Sequence, residues 1–208
     1  MILAGAAVGV GVWLVQTGTR TSAPPRPSAA DAWRHPVPTP RTTPPDAESA
    51  VSGMAFSKPT RIRIPRIGVD APIVEVDLDA NGNLPAPSAA DRRPAGWYRQ
   101  SAAPGTAGNA VIDGHVDGLD GPAVFYSLGA LHKGDTIEIT RADRSIAEFT
   151  ADAVEVYPKD AVPADRVFGA ADQPQLRLVT CGGAYTKTTG YQGTVIVYGR
   201  FTRAVPAS

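Results

Sequence analysis

The chain has 208 residues, 43% of them hydrophobic, and its 20 basic residues are balanced by 20 acidic ones. That balance excludes the global positive field that draws a protein to nucleic acid, so any partner is to be sought at a local site. One cysteine in the whole chain allows no intramolecular disulfide and no thiolate metal cage, and no dense acidic cluster marks a calcium loop, so neither metal nor cofactor is expected.

Residues 1–16 carry no charge and are rich in Ala, Gly, Val and Leu. A spanning helix needs about 20 apolar residues, which leaves this run slightly short. It reads as an uncleaved membrane anchor. The alternatives are a signal-peptide core, although no Ala-x-Ala site follows, or a segment whose basic upstream part is missing. Arg20 is the first charge, so the positive-inside rule does not orient the segment. From residue 17 to 57, eight prolines from Pro24 to Pro45 lie among Ser, Thr, Ala and Arg with no apolar periodicity. This predicts a disordered, partly polyproline-II linker able to hold a domain up to ~100 Å from a membrane.

Past Lys58 the pattern becomes short apolar runs broken by Gly, Pro, Asn and Asp. Strands are predicted near 60–64, 72–77, 109–113, 136–141, 147–157, 175–181 and 194–202. Turns are predicted at 81–83 and 133–135, and short helical turns near 121–128 and 161–167. About 145 residues, 58–203, suffice for one self-supporting domain followed by a tail at 204–208. Regular short strands favour an all-β antiparallel sandwich or a closed barrel over a parallel α/β sheet, and the pattern alone does not choose between those two. Trp97 and Tyr98 read as packing on that framework, with the lining of a groove as the other use.

Two residues stand out chemically. Cys181 closes the apolar run Leu176 to Val179 within Val-Thr-Cys-Gly-Gly, at the end of a predicted strand. An inert buried thiol and a nucleophile both fit that placement. A nucleophile needs a proton partner, and there are three histidines. His35 lies in the proline-rich stretch and His132 in a Gly-containing turn. His115 ends Asn-Ala-Val-Ile-Asp-Gly-His-Val-Asp, a second strand end 66 residues before Cys181. Two strand ends can converge in space, as Cys/His catalysis requires.

The pairing of Val-Ile-Asp-Gly-His-Val-Asp with Leu-Val-Thr-Cys-Gly-Gly resembles the sortases, especially the actinobacterial class E/F type. Ile-Pro-Arg-Ile-Gly-Val-Asp-Ala-Pro-Ile at 64–73, Pro-Ala-Gly-Trp-Tyr at 94–98, Pro-Ala-Val-Phe-Tyr-Ser-Leu at 122–128 and Lys-Gly-Asp-Thr-Ile at 133–137 extend the resemblance over roughly 58–203. It implies an eight-stranded β-barrel and a cysteine transpeptidase with His115 and Cys181 as catalytic residues. The implied reaction cleaves an LPxTG-like sorting motif of a surface protein through a Cys181 thioester and passes the acyl group to a peptidoglycan or pilin amine. It further implies a single-pass protein of the cell membrane, N-terminus in the cytoplasm and catalytic domain outside. Thr180 is implied to contribute to substrate geometry.

The sequence departs from the family at one point. Sortases generally carry an arginine near the start of the strand after the cysteine, and the corresponding position here falls at Thr194, with no arginine until Arg200. Arg200 lies ~20 Å further along and Arg177 ~13 Å before Cys181, so neither is expected at the thiol. Lys187, an arginine from another loop such as Arg92 or Arg93, or neutral donors including the Gly182 and Gly183 amides remain as candidates for charge stabilisation. The alternatives to a transpeptidase are a catalytically weak protein of the same fold that binds sorting peptides or wall components, and a hydrolytic cysteine peptidase.

Overall fold

Thr136–Arg141 and Ile146–Pro158 alternate buried and more exposed side chains residue by residue over most of their length, the period of strands with one face on a core. In the computed structural model, which describes residues 23–33, 52–80, 82–87, 91, 93–118 and 121–207, these are β7 and β8 of ten strands. The others are β1 (Pro59–Ile64), β2 (Val69–Val76), β3 (Ala95–Tyr98), β4 (Gly108–Asp113), β5 (Asp117–Gly118), β6 (Gly121–Pro122), β9 (Pro174–Thr186) and β10 (Gly190–Val205). Eight close into a barrel in the order β1-β2-β3-β4-β9-β10-β8-β7, while β5 and β6 form a two-residue ladder of their own. The expected all-β closed barrel is therefore the fold. Among the described residues helix is limited to one five-residue segment, α1 (Ala164–Phe168), overlapping the helical turn anticipated at 161–167, and four single 3₁₀ turns, of which Leu128–Ala130 begins at the end of the turn anticipated at 121–128.

The barrel is mixed. β2 pairs with β3, and β4 with β9, in parallel. Both parallel partners are joined by long connections, 77–94 and 114–173, which leave room for the crossover a parallel pair requires. β3 escaped the sequence reading because Ala-Gly-Trp-Tyr after a proline shows no alternation.

Ile62, Ile64, Ile112, Ile137, Ile139, Phe149 and Leu178 fill the barrel interior and are fully buried. Each such side chain contributes about 1.5–3 kcal/mol relative to exposure. β4, β9 and β10 carry apolar residues on their outer face as well: Val111, Ile196 and Tyr198 pack with Val167 of α1 and with Leu84 and Val179. A strand covered on both sides reads as a continuous apolar run, and for β4 and β10 this is what the sequence shows. Trp97 lies in the interior with its indole N–H donating to the Ala102 carbonyl at 3.1 Å, and Tyr98 sits edge-on to Phe168, so packing accounts for both aromatics.

Within the stretch anticipated as an extended linker, residues 23–33 are docked on the barrel. Asp31 is buried, accepting from the Lys133 amide at 3.0 Å and meeting His132 Nδ1 at 2.7 Å. Trp33 lies edge-on to Tyr198 at 5.7 Å under the Arg166 guanidinium. Proline-rich composition conceals such contacts because it lacks any apolar period. Residues 1–16, His35 and Arg92 lie outside the described residues. Among the described residues no helix is long and apolar enough to cross a membrane.

Candidate active site

Cys181 sits on β9, opposite Thr194 of β10, which in turn lies opposite Tyr157 of β8. Cross-strand partners share a face, so this row lies on the outside of the barrel, in line with Val179 and Ile196 of the outer apolar layer. Thr180, one residue earlier, points the other way and is 3% exposed. Cys181 itself is exposed, which removes the inert-core reading of this thiol.

His115 is brought to the same end of the barrel by a parallel register. β4 runs beside β9 with Asp113 opposite Val179, and the ladder continues one step further as the Gly114 amide donates to the Val179 carbonyl at 3.1 Å. Thr180 Oγ1 then donates to the Gly114 carbonyl at 2.7 Å. The residue before His115 is thus bound on both sides of its peptide to the two residues preceding Cys181. Glycine at 114 is required by packing: a Cβ there would stand 2.6 Å from Phe125 and 2.7 Å from Val124. That close approach lets the Phe125 amide donate to the His115 carbonyl at 3.0 Å.

The imidazole is half-buried, with Nε2 2.7 Å from the Pro87 carbonyl. A carbonyl only accepts, so in the neutral ring Nε2 carries the proton and Nδ1 is the basic nitrogen. Pro87 belongs to the long connection between β2 and β3, which folds back over this end because Gly96 leaves room: a Cβ there would meet Pro87 Cγ at 2.9 Å.

The thiol is held above its ordinary range. Crowding by surrounding protein atoms is the largest cause even though the residue reaches the surface, and Asp113 and Asp117 add to it, while Lys159 opposes. The resting sulfur at neutral pH is therefore a protonated thiol whose proton needs an acceptor. Asp113, enclosed at the end of β4, is pushed up to about 8 by desolvation, against a bond from the Gly114 amide. The Tyr191 hydroxyl of β10 donates to the Asp117 carboxylate.

Thr194, near which counting puts the position where other sortases carry an arginine, faces Cys181 directly, and it is neutral. Lys187 lies in the turn between β9 and β10, exposed and six residues from Cys181, roughly 20 Å along an extended strand. Arg93 is exposed and bidentate to Asp91. It lines a cleft of about 360 Å³ with Ile67, Val69, Pro122 and Tyr126, which includes neither Cys181 nor His115. Arg177 is buried against Tyr198, donates to the Arg166 and Leu176 carbonyls and is lowered to about 10 by burial. Arg200 pairs with Asp152. In the β9–β10 hairpin Gly182 lies opposite Gly193, and Gly183, at the register shift that follows, adopts φ +79°. Lys159 was not singled out in the sequence, since nothing in its surroundings there distinguishes it. No cluster of three metal-ligating side chains occurs among the described residues.

The Sortase domain family model matches residues 62–202. No curated protein matches the chain. Among solved structures, sortase A of Listeria monocytogenes superposes with a TM-score of 0.56 at 17% identity, over 74% of this chain and 92% of that one. The pilus-related sortase C of Group B Streptococcus gives 0.55 at 20%, over 72% and 70%, and sortase A of Corynebacterium diphtheriae 0.54 at 22%, over 72% and 63%. At these identities the superpositions speak to the barrel alone. The family match spans more than half of the chain and includes both strand ends that carry His115 and Cys181, and so the protein belongs to the sortase family.

Proposed function

We propose that this protein is a cysteine transpeptidase with Cys181 as nucleophile and His115 as its proton partner. The observation that supports this most is the pair of bonds fastening Gly114, the residue before His115, to Val179 and Thr180, the two residues before the exposed Cys181, which ties the two strand ends together. In the proposed reaction the Cys181 proton passes to His115 Nδ1 as sulfur attacks the scissile carbonyl, forming the C–S bond while the C=O pair moves onto oxygen. Collapse restores the carbonyl and breaks the C–N bond, and His115 returns its proton to the departing amine. An incoming amine then attacks the thioester and loses its proton to His115, and the thiolate leaves.

The substrate is proposed to be a surface protein with an LPxTG-like C-terminal sorting motif, the acceptor a peptidoglycan or pilin amine, and the subtype class E/F-like. The catalytic domain, 58–203, would then work outside the cell, tethered through residues 1–16. Incubation of the protein with a panel of sorting-motif peptides and amines, followed by intact-mass analysis, tests this reading. An acyl adduct on Cys181 that converts to amide product on amine addition is expected. Product formed by water alone, unaffected by amine, would mean a peptidase. Absence of both adduct and cleavage would mean a peptide-binding member of the fold, the reading that the neutral Thr194 favours.

A further inference from the structure

We infer that Lys159, at the end of β8, supplies the positive charge of the Cys181 site. The position follows from register. In β10, Gly193 lies between Gly182 of β9 and Pro158 of β8, and Thr194 lies between Cys181 and Tyr157. Lys159 is the next residue, opening the 3₁₀ turn Lys159–Ala161, exposed at the same rim of the barrel as Cys181.

Two inter-strand steps of about 4.8 Å and two residues of about 3.3 Å place its Cα roughly 12 Å from that of Cys181, a gap that a lysine's four-carbon stem cuts by about half. Gly182 and Gly193 alternate to the opposite face of the sheet, where a Cβ on Gly182 would meet Val195 at 2.5 Å and one on Gly193 would lie 3.2 Å from Val156. The side chains on the Cys181 face along this path are those of neutral Thr194 and Tyr157.

The groups around the thiol are Asp113 from β4, His115 and Asp117 after it, neutral Thr194 from β10, Tyr157 and Lys159 from β8. Both carboxylates raise the thiol's proton affinity and Lys159 lowers it. A negative charge formed on sulfur, or on the oxygen of an acyl group bonded to it, is therefore disfavoured by the Asp117 carboxylate, joined by that of Asp113 as pH rises past about 8, and favoured by this ammonium. An exposed lysine is a mobile point charge and lacks the planar fork of an arginine, so its effect is smaller and sensitive to salt.

The assignment has one arm that rests on the transpeptidase reading and one that does not. Independently of any substrate, the rate of Cys181 alkylation by iodoacetamide is followed against pH for wild type, Lys159→Met and Lys159→Arg, at low and high KCl. The methionine variant is expected to move the midpoint upward by about half a pH unit or more, arginine to restore it, and salt to shift wild type toward the methionine variant. On a sorting-motif peptide, Lys159→Met is expected to lower kcat about tenfold or more with little change in KM, again restored by arginine. An unchanged alkylation midpoint in Lys159→Met overturns the assignment, as does an arginine variant behaving like methionine. Wild type inactive on every peptide would instead remove the transpeptidase reading, with the alkylation arm still deciding the role of Lys159.

Discussion

Replacing Thr180 by valine tests how His115 and Cys181 are held in register. The side chain is 3% exposed and its Oγ1 donates to the Gly114 carbonyl at 2.7 Å, one residue from each of the two groups. Valine keeps the volume and the β-branch but leaves a buried carbonyl without its donor, a loss of about 1–3 kcal/mol. For a domain of this size, each kcal/mol lowers the thermal midpoint by roughly 2–4 °C, so a fall of roughly 4–8 °C is expected for a loss near the middle of that range. Serine is the control: it retains the hydroxyl and removes one methyl, costing about 1 kcal/mol. In the turnover assay valine is expected to lower kcat about tenfold or more through misplacement of His115, and serine far less. Valine as stable as wild type, or no worse than serine in both assays, would refute the reasoning that this bond fastens the two strand ends.

Asp113 predicts a pH dependence of opposite sign from the usual carboxylate. Its folded pKa, about 8, lies above the ordinary value, so the folded state holds the proton more tightly. Its contribution to stability is greatest at acid pH and declines as pH rises from about 4 toward 8. Asp113→Asn is expected to flatten that decline in chemical denaturation and to lower the Cys181 alkylation midpoint by removing a neighbouring anion; a variant with wild-type pH dependence would contradict this. Asp31 has the opposite sign: the Lys133 amide and His132 hold its carboxyl below the usual range despite burial, so its contribution is present at neutral pH and fades on acidification through its folded value. Asp31→Ala is expected to lose about 1–3 kcal/mol at pH 7 and much less at pH 3 by denaturant titration, and equal losses would count against it. Cys181→Ala and His115→Ala are each expected to abolish turnover while leaving the thermal midpoint within a few degrees, since one side chain is exposed and the other half-buried.

Much of the barrel was legible because one-sided burial leaves its period in the chain: Ile137, Ile139, Ala147, Phe149 and Ala151 alternate inward without a break. What was not legible lacks a local signature. The parallel pairings depend on where the long connections carry the chain, and Ala95–Tyr98 is too short and too uniformly buried to show alternation. The docking of Trp33 on Tyr198 joins positions that no periodicity relates. At the site the same division holds. Cys181 and His115 could be picked out along the chain as candidates, and counting showed no arginine near Thr194, while its place opposite the thiol comes only from strand register. Lys159 precedes Cys181 by 22 residues, just past the end of a different strand, and only the register through Pro158, Gly193 and Gly182 places it at the same rim.

In the proposed reaction Cys181 carries the acyl group. Intact-mass spectrometry of the protein mixed with a sorting-motif peptide, quenched in acid before amine is added, measures it directly. A mass increase equal to the acyl fragment is expected, located at Cys181, absent in Cys181→Ala and discharged by amine with formation of the amide. A protein that cleaves the peptide without such an adduct, or forms one that amine does not discharge, would contradict it.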